Sequence, residues 1–371
     1  YAAGLCSHMT APNTNSPSSL RGLILVMALT LAALLPFVGK AYHIDDPMFV
    51  WAAQQIRHAP LDFYGVNVNW YGDPEPMFEA MRNPPLAAYY VAVASVTAGF
   101  GEVGQHLAFM LWAAGLAAGV FVLARQWNAP PMLAALATVL TPGVLVSATN
   151  VMCDVMLVCL WVWSIVLWER GLRGHRAALL AAGLCITATA LTKYFGLALI
   201  PLLAVHGLMK LRRPGWWLAA LVIPLVAIAA FEWWAHRLYG MGLVFDAAAS
   251  VSQRRLSTGL RFFIVHAAIG LAFAGGCAAS ALFFWPRLWS HWIVVASLIL
   301  MVLITFAIGL PSMNPDDPSA IAKIGWSAAM QAGLWITIGA GVIAMPVLDL
   351  RRRFDAASVT LVSATDRFVE R

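Results

Sequence analysis

Long apolar segments recur along almost the whole chain, and each has about 17–25 residues, enough to cross the hydrocarbon core of a bilayer as a helix. Only 11% of the residues are charged, whereas a soluble domain carries roughly 25%. The sequence therefore predicts an all-α polytopic membrane protein with about 10–11 transmembrane helices. The apolar segments are residues 21–39, 84–100, 105–124, 131–149, 152–168, 177–192, 194–210, 215–234, 261–285, 288–310 and 326–348.

The basic residues between these segments predict the orientation of the chain, because Lys and Arg concentrate in cytoplasmic loops. Placing every basic cluster in the cytoplasm requires an even number of crossings between neighbouring clusters, and the apolar segments satisfy this. The net charge of +6 is explained by these loops, and no basic patch indicates nucleic acid as a partner. The clusters are Arg170, Arg173 and Arg176; Lys210, Arg212 and Arg213; Arg287; and Arg351, Arg352 and Arg353.

The same tracing predicts the domain organisation. Residues 1–20 are expected to form a disordered cytoplasmic tail, residues 21–348 the membrane domain and residues 349–371 a second cytoplasmic tail. Residues 40–83 form the first extracytoplasmic loop and residues 236–260 a second large one. Segment 84–100 breaks the parity, so we expect it to dip into the membrane without crossing; the alternative is that Arg125 breaks the charge rule.

Two adjacent carboxylates, Asp45 and Asp46, open the polar stretch after the first apolar segment. Pro47 follows, and an aspartate before a proline is a helix-start signal. The next residues predict a short amphipathic helix in the membrane interface. Two acids at a low-dielectric rim should have pKa values that are pushed apart, with one acid ionised and able to act as a general base. The alternative is that one of them only caps the helix.

Four motifs in sequence order resemble the C-type (GT-C) membrane glycosyltransferases, in particular the family 39 protein mannosyltransferases and the bacterial aminoarabinose transferases. Their first outer loop carries an acidic pair, and a proline-containing step opens the next helix. A turn ending in aspartate and a Thr-Lys step follow. The matching residues here are Asp45-Asp46, Asn83-Pro84-Pro85-Leu86, Asn150 to Asp154 and Thr192-Lys193-Tyr194. The resemblance implies a GT-C-like bundle whose large first outer loop carries interfacial helices.

The resemblance also implies a reaction. Asp45, with Asp46 as second choice, would deprotonate the acceptor, and the donor would be a polyprenyl-phosphate sugar that reacts with inversion. Lys193, Arg254 and Arg255 are the candidates for binding the donor phosphate, since cations stabilise the charge that builds up on it. For the arginine pair, the alternative is a general interaction with anionic lipid headgroups.

Three further residues are expected to have an orienting role: Asn83 and His43 would orient the acceptor, and Asp154 would orient either Lys193 or the acceptor. Asp154 has an alternative role as the N-cap of a helix that begins at Val155. Asn83 stands where relatives carry His or Glu, which argues against a metal site there. No cofactor is therefore assigned, and a divalent metal is kept as the less favoured alternative.

The chain is thus expected to be a hexosyl- or pentosyltransferase in a bacterial inner membrane, with its active site facing the periplasm. The acceptor could be a glycan, a lipid or a protein, and membrane lipids surround the bundle. A polytopic transporter of a lipid-linked or small polar substrate is the main alternative. It is less favoured because the ionisable residues gather at one face rather than at the midplane, and no internal repeat is visible.

Overall fold

The computed structural model of the chain describes residues 17–279, 290–309 and 325–369. Arg287 and most of the expected tail at residues 1–20 lie outside the described residues. The first helix begins at Pro17, so the end of that expected tail is helical. Most of the described residues are in helices, and two short strands form an antiparallel hairpin in which Val68 pairs with Glu75.

The helices and strands follow one another in this order: α1 Pro17–Leu34, α2 Asp46–His58, β1 Asn67–Asn69, β2 Pro74–Pro76, α3 Met77–Ala80, α4 Leu86–Ala98, α5 Glu102–Gln126, α6 Pro131–Val139, α7 Pro142–Ala148, α8 Cys153–Leu172, α9 Arg176–Thr192, α10 Leu199–Leu211, α11 Ala219–Tyr239, α12 Leu243–Ala278, α13 His291–Gly309 and α14 Trp326–Val369. Three short 3-10 helices cover Leu35–Phe37, Tyr194–Ala198 and Trp216–Leu218.

Seven helical segments in the described part of the chain are long and apolar enough to cross a membrane, and α6 with α7 would make an eighth, bent by 64°. Three shorter apolar helices add to these: Leu86–Ala98, Arg176–Thr192 and Phe263–Ala278. The predicted class, an all-α polytopic membrane protein, is confirmed. The seven segments are Ser19–Phe37, Glu102–Gln126, Cys153–Leu172, Tyr194–Leu211, Trp216–Tyr239, His291–Gly309 and Trp326–Asp349.

Helix α4 occupies the segment that was expected not to cross the membrane. It has 13 residues, which at 1.5 Å per residue extend roughly 20 Å, short of the roughly 30 Å hydrocarbon core. One face is buried at Ala88 and Val91, and it packs against α2 and α5. The short length supports a non-crossing segment, which stays a prediction.

The segment 236–260, expected as a large loop, is mostly helical. Helix α11 continues to Tyr239 and α12 begins at Leu243. Gly240 ends α11 with a φ of 73°, a left-handed conformation that glycine adopts without steric cost. The connection between the two helices is therefore only a tight turn.

The chain divides into two compact units, which are Tyr1–Leu140 with Val144–Gln253, and Thr141–Gly143 with Arg254–Arg371. In the first unit, α8 packs against both α5 and α9, α1 packs against α5, and α2 packs against α4. In the second unit, α13 packs against α14, with the rings of Phe306 and Trp326 edge to face at 5.5 Å.

Hydrogen bonds define one end of the first unit, here called the loop end. The Lys40 amine reaches Asn150, and the Tyr239 hydroxyl contacts the backbone of Tyr64. Residues 40–83, 149–154 and 239–246 therefore meet at this end.

The other end of the same unit is here called the Glu169 end. Glu169 lies near the end of α8 with a side chain only 3% exposed, and Lys210 and His206 of α10 contact its carboxylate.

Candidate functional site

The acidic pair lies at the start of α2, as the Asp-Pro step predicts. Asp46 is fully buried, and its Oδ2 accepts a hydrogen bond from the backbone N–H of His43 at 2.8 Å. Asp45 occupies the N-cap position, but its side chain makes no capping hydrogen bond and is only partly buried. The fold thus separates the pair into a buried acid and an accessible acid.

Burial raises the pKa of the Asp46 carboxyl above its ordinary value. The backbone N–H groups of His43 and Val151 oppose this, as does the charge of His106 and His43 when protonated. Removing a carboxylate from water disfavours its charged form, and donors aimed at it restore part of that cost. His43 donates its backbone N–H to Asp46 and accepts the Asp45 N–H at Nδ1 at 3.4 Å, and its expected role in orienting an acceptor stays a prediction.

The turn between α7 and α8 brings further polar groups to the pair. The Lys40 amine donates to the Thr149 hydroxyl at 3.1 Å and to the Asn150 carbonyl oxygen. Val151, in the same turn, approaches Asp46 through its backbone. Sequence reasoning missed Lys40, although its position at the end of the first apolar segment was a usable signal.

Lys193 and Asp154 form an ion pair next to this turn. Lys193 Nζ lies 2.9 Å from Asp154 Oδ1, and both side chains are a little over one-third exposed. Helix α8 begins at Cys153 with Met152 as its N-cap, so the alternative that Asp154 caps a helix beginning at Val155 is wrong. Val151 precedes Asp154 by three residues, a span of at most about 10 Å. The ion pair therefore lies close to the Asp45–Asp46 pair.

Asn83 is held in place by a chain of tyrosines. The Tyr64 hydroxyl donates to the Asn83 carbonyl at 2.7 Å, and the Tyr64 N–H donates to the Tyr239 hydroxyl at 2.9 Å. Tyr239 in turn donates to Asp62 at 3.1 Å. This network ties the step before α4 to the end of α11.

Arg82, directly before Asn83, is a second cation that sequence reasoning missed. Its guanidinium lies 2.8 Å from Asp246 on α12, and both side chains are partly exposed. The Glu232 carboxylate holds the start of α12 by accepting the N–H groups of Val244 and Phe245 at 2.9 and 3.2 Å.

The predicted phosphate-binding pair Arg254 and Arg255 falls within the backbone range of α12. Their side chains lie outside the described residues, so their expected role stays a prediction.

An apolar cavity of about 380 Å³ opens beside these motifs. Leu191, one of its lining residues, precedes Lys193 by two positions, and Pro85 follows Asn83 by two positions. The cavity therefore lies between two of the predicted site segments. Its other lining residues include Phe63, Leu86, Tyr89 and Phe231.

Within the described part of the chain, no group of three or more His, Cys, Asp or Glu side chains is arranged to hold a metal ion. His43 and Asn83 bear on the less favoured alternative of a divalent metal. Both belong to the hydrogen-bonded segments described above.

Comparison with known proteins identifies the fold. Residues 82–234 match the family model of dolichyl-phosphate-mannose-protein mannosyltransferases. The fold is similar to that of ArnT from Cupriavidus metallidurans bound to undecaprenyl phosphate, with a TM-score of 0.50 and 19% identity over 86% of this chain. The resemblance to C-type membrane glycosyltransferases is confirmed, and the chain has their fold.

Two further solved structures are more distantly similar. ArnT from the same organism in the apo state has a TM-score of 0.48 and 18% identity over 87% of this chain and 60% of that one. The oligosaccharyltransferase of Archaeoglobus fulgidus, tethered to an acceptor peptide, has a TM-score of 0.42 and 14% identity over 92% of this chain and 51% of that one. In sequence alone, the chain matches no curated protein.

These matches cover parts of the proteins concerned. The chain spans 59% of the length of the undecaprenyl phosphate-bound ArnT. The family model covers Asn83, Asp154 and Lys193, but it begins after Asp45 and ends before Arg254.

Proposed function

We propose that this chain is a membrane glycosyltransferase that moves a sugar from a polyprenyl-phosphate donor to an acceptor at the loop end of the bundle. The observation that carries the proposal is the meeting, at one end of a GT-C fold, of an accessible carboxylate, a lysine and an apolar cavity. Asp45, Lys193 and the cavity near Pro85 are these three elements. The loop end faces the periplasm of a bacterial inner membrane in this proposal.

The cavity suits the lipid part of the donor. Its lining is aliphatic and aromatic, and apolar surface buried there stabilises binding by about 25 cal/mol per Å². A polyprenyl tail lying along Leu86 and Phe231 would bring its phosphate to the level of Lys193, because Leu191 lines the same cavity. Undecaprenyl phosphate, present in the ArnT structure, is a compound of this class.

The cations of the loop end suit the leaving group. As the bond between the anomeric carbon and the phosphate oxygen breaks, negative charge builds up on the phosphate, and fixed cations stabilise it. The ion pair with Asp154 supports a fixed position for Lys193 in this role. Arg82 is a further candidate from the structure, and Arg254 and Arg255 remain candidates from the sequence.

Asp45 is the proposed general base. The acceptor hydroxyl or amine loses its proton to Asp45 as its oxygen or nitrogen bonds to the anomeric carbon from the face opposite the phosphate, which inverts that carbon. Asp46 is buried and hydrogen-bonded to its own turn, so it positions the loop rather than meeting the acceptor. Asn83 and Asp154 remain candidates for orienting the acceptor.

The test is a transfer assay in proteoliposomes that hold the full chain, a set of undecaprenyl-phosphate sugars and a set of glycan, lipid and peptide acceptors, with free undecaprenyl phosphate measured by mass spectrometry. Asp45→Asn should lower its release by about 10²–10⁴-fold. Asp73→Asn is the matched control, since Asp73 is an exposed aspartate of the same loop. Equal release by Asp45→Asn and Asp73→Asn would remove Asp45 from the mechanism.

A further inference from the structure

A second, polar cleft lies between α2 and the hairpin, on the side of α2 that the core leaves exposed. Its volume is about 530 Å³, within the roughly 300–1,000 Å³ of small-molecule sites. Helix α2 contributes Trp51, Gln54, Gln55 and His58, and strand β1 contributes Asn67 and Asn69. This polar cleft is separate from the apolar cavity near Pro85.

The spacing of the lining residues shows that the cleft has two regular walls. The four α2 residues occupy positions i, i+3, i+4 and i+7, which form one stripe on a helix. Asn67 and Asn69 share one face of β1, while Val68 between them is buried. Polar side chains from both walls thus face a concave space, which Val66 and Val68 also line.

The amides of the cleft are partly fixed by the protein. Gln55 donates its amide N–H to the Asp62 carbonyl at 3.0 Å, and the Asn69 carbonyl accepts the Gly72 N–H at 3.0 Å. These contacts hold both side chains, whose remaining amide groups include a carbonyl oxygen on Gln55 and an NH₂ on Asn69. Gln54 and Asn67 are exposed. The cleft therefore presents donors and acceptors together.

Trp51 supplies an aromatic surface beside these amides. Its side chain is 37% exposed, and the Trp70 ring supports it edge to face at 6.3 Å. A held indole has an apolar face and costs little conformational entropy on binding. The C–H face of a sugar ring matches such a surface, while its hydroxyl groups match uncharged amides.

The charge of the cleft argues against an anionic ligand. Among the described residues that line the cleft, His58 is the one that can become cationic. Arg57, its neighbour in sequence, points elsewhere, because its guanidinium donates to Ser95 at 3.4 Å and lies over the Phe100 ring. A phosphate or a lipid headgroup would find no fixed cation in the described lining, whereas a neutral polyol needs none.

We infer that the polar cleft binds a neutral glycan and is the acceptor subsite of the proposed transfer. Trp51 lies six residues after Asp45, about 9 Å along a helix, a separation that a few sugar units can bridge. The role as acceptor subsite rests on the proposed function, whereas the binding of a neutral glycan does not.

The test measures binding alone, by saturation-transfer NMR on the full chain in nanodiscs. The probes are maltose, cellobiose, lactose, mannobiose and N,N′-diacetylchitobiose, and the Asp45→Asn variant serves as the binding protein so that no turnover interferes. At least one disaccharide should receive saturation. Trp51→Ala should weaken its binding about tenfold or more, and Gln54→Ala, an exposed change, should weaken it by a smaller factor.

Trp127→Ala is the matched control, because Trp127 is also exposed but lies at the end of α5. Gln54→Ala should also unfold at the same temperature as the parent protein. This result would show that its weaker binding does not come from misfolding. The inference is overturned if no disaccharide binds, if Trp51→Ala binds as tightly as Trp127→Ala, or if a Ser/Thr-rich peptide rather than a sugar competes for Trp51. Disaccharide binding that depends on Trp51, found without any sugar transfer, would contradict the proposed function and the acceptor role, and would leave the binding of a neutral glycan by the cleft standing.

Discussion

The contacts of Glu169 at the Glu169 end and the Asp154–Lys193 pair at the loop end both join a carboxylate to a lysine in the first unit. The two carboxylates differ in their exposure to solvent. The Glu169 side chain is 3% exposed and is contacted by Lys210, His206 and Arg173. In the Asp154–Lys193 pair, both side chains are more than one-third exposed. A buried acid surrounded by cations holds helices together, whereas a half-exposed pair can exchange its partner for a ligand. We therefore interpret the Glu169 end as structural and the loop end as reactive.

The largest change in stability is expected at the Glu169 end. Lys210→Met removes one cation from the buried carboxylate, and breaking such a pair typically costs about 3 kcal/mol or more. Because Glu169 keeps its contacts with His206 and Arg173, the loss of unfolding free energy should be close to about 3 kcal/mol. Thermal unfolding in detergent should show a clearly lower midpoint for Lys210→Met. Arg213→Met, an exposed change nearby, should unfold like the wild type, and equal midpoints for the two variants would contradict a structural role.

The loop-end pair should behave in the opposite way. Asp154→Asn and Lys193→Met should each lower the unfolding free energy by less than about 1 kcal/mol, since exposed pairs contribute little. Lys193→Met should raise the KM for the polyprenyl-phosphate donor about tenfold, because a charged hydrogen bond to phosphate is lost. Asp154→Asn, which leaves the lysine charge in place, should raise it less.

Steady-state kinetics with Glu79→Gln as an exposed control at the same end checks this order. A large drop in the unfolding midpoint without any change in KM would make the Asp154–Lys193 pair structural as well.

The pH dependence of stability should be the smallest effect, and it belongs to Asp46. Because burial raises the pKa of this carboxyl above 3.8, the folded state holds its proton at pH values where the unfolded state has lost it. Stability therefore falls as pH rises from about 3.8 to the raised pKa, and is level above it. Asp46→Asn removes this slope. The measurement is the unfolding midpoint of the wild type and of Asp46→Asn across that pH window. Parallel curves for the two proteins would contradict a raised pKa of Asp46.

Much of this fold follows from the hydropathy of the chain and from the residues that start or break helices. The apolar segments predict α5, α8 and α11, and the Asp-Pro step at residues 46 and 47 predicts the start of α2. Hydropathy alone does not predict where every apolar segment breaks, however. The apolar segment 131–149 is broken into α6 and α7, with Pro142 at the start of the second helix. A proline cannot donate the hydrogen bond that would continue a helix, but the angle of the break depends on packing.

The site was harder to predict where it depends on contacts distant in sequence. Arg82 pairs with Asp246, 164 residues away, and no spacing rule links them. Helix α12 begins inside an expected loop because Glu232, 12 residues before Val244, accepts the N–H groups of Val244 and Phe245 in its first turn. The different burial of Asp45 and Asp46 likewise comes from tertiary packing, which separates two residues of the same type at adjacent positions.

One measurement tests the contrast between the two ends most directly: unfolding midpoint and sugar transfer, recorded on the same preparations of Asp45→Asn and Lys210→Met. Asp45→Asn is predicted to unfold like the wild type while losing transfer by about 10²–10⁴-fold. Lys210→Met is predicted to unfold at a lower temperature and to transfer sugar normally per folded molecule. Normal transfer by Asp45→Asn, or a catalytic loss in folded Lys210→Met equal to that of Asp45→Asn, would contradict the assignment of chemistry to the loop end.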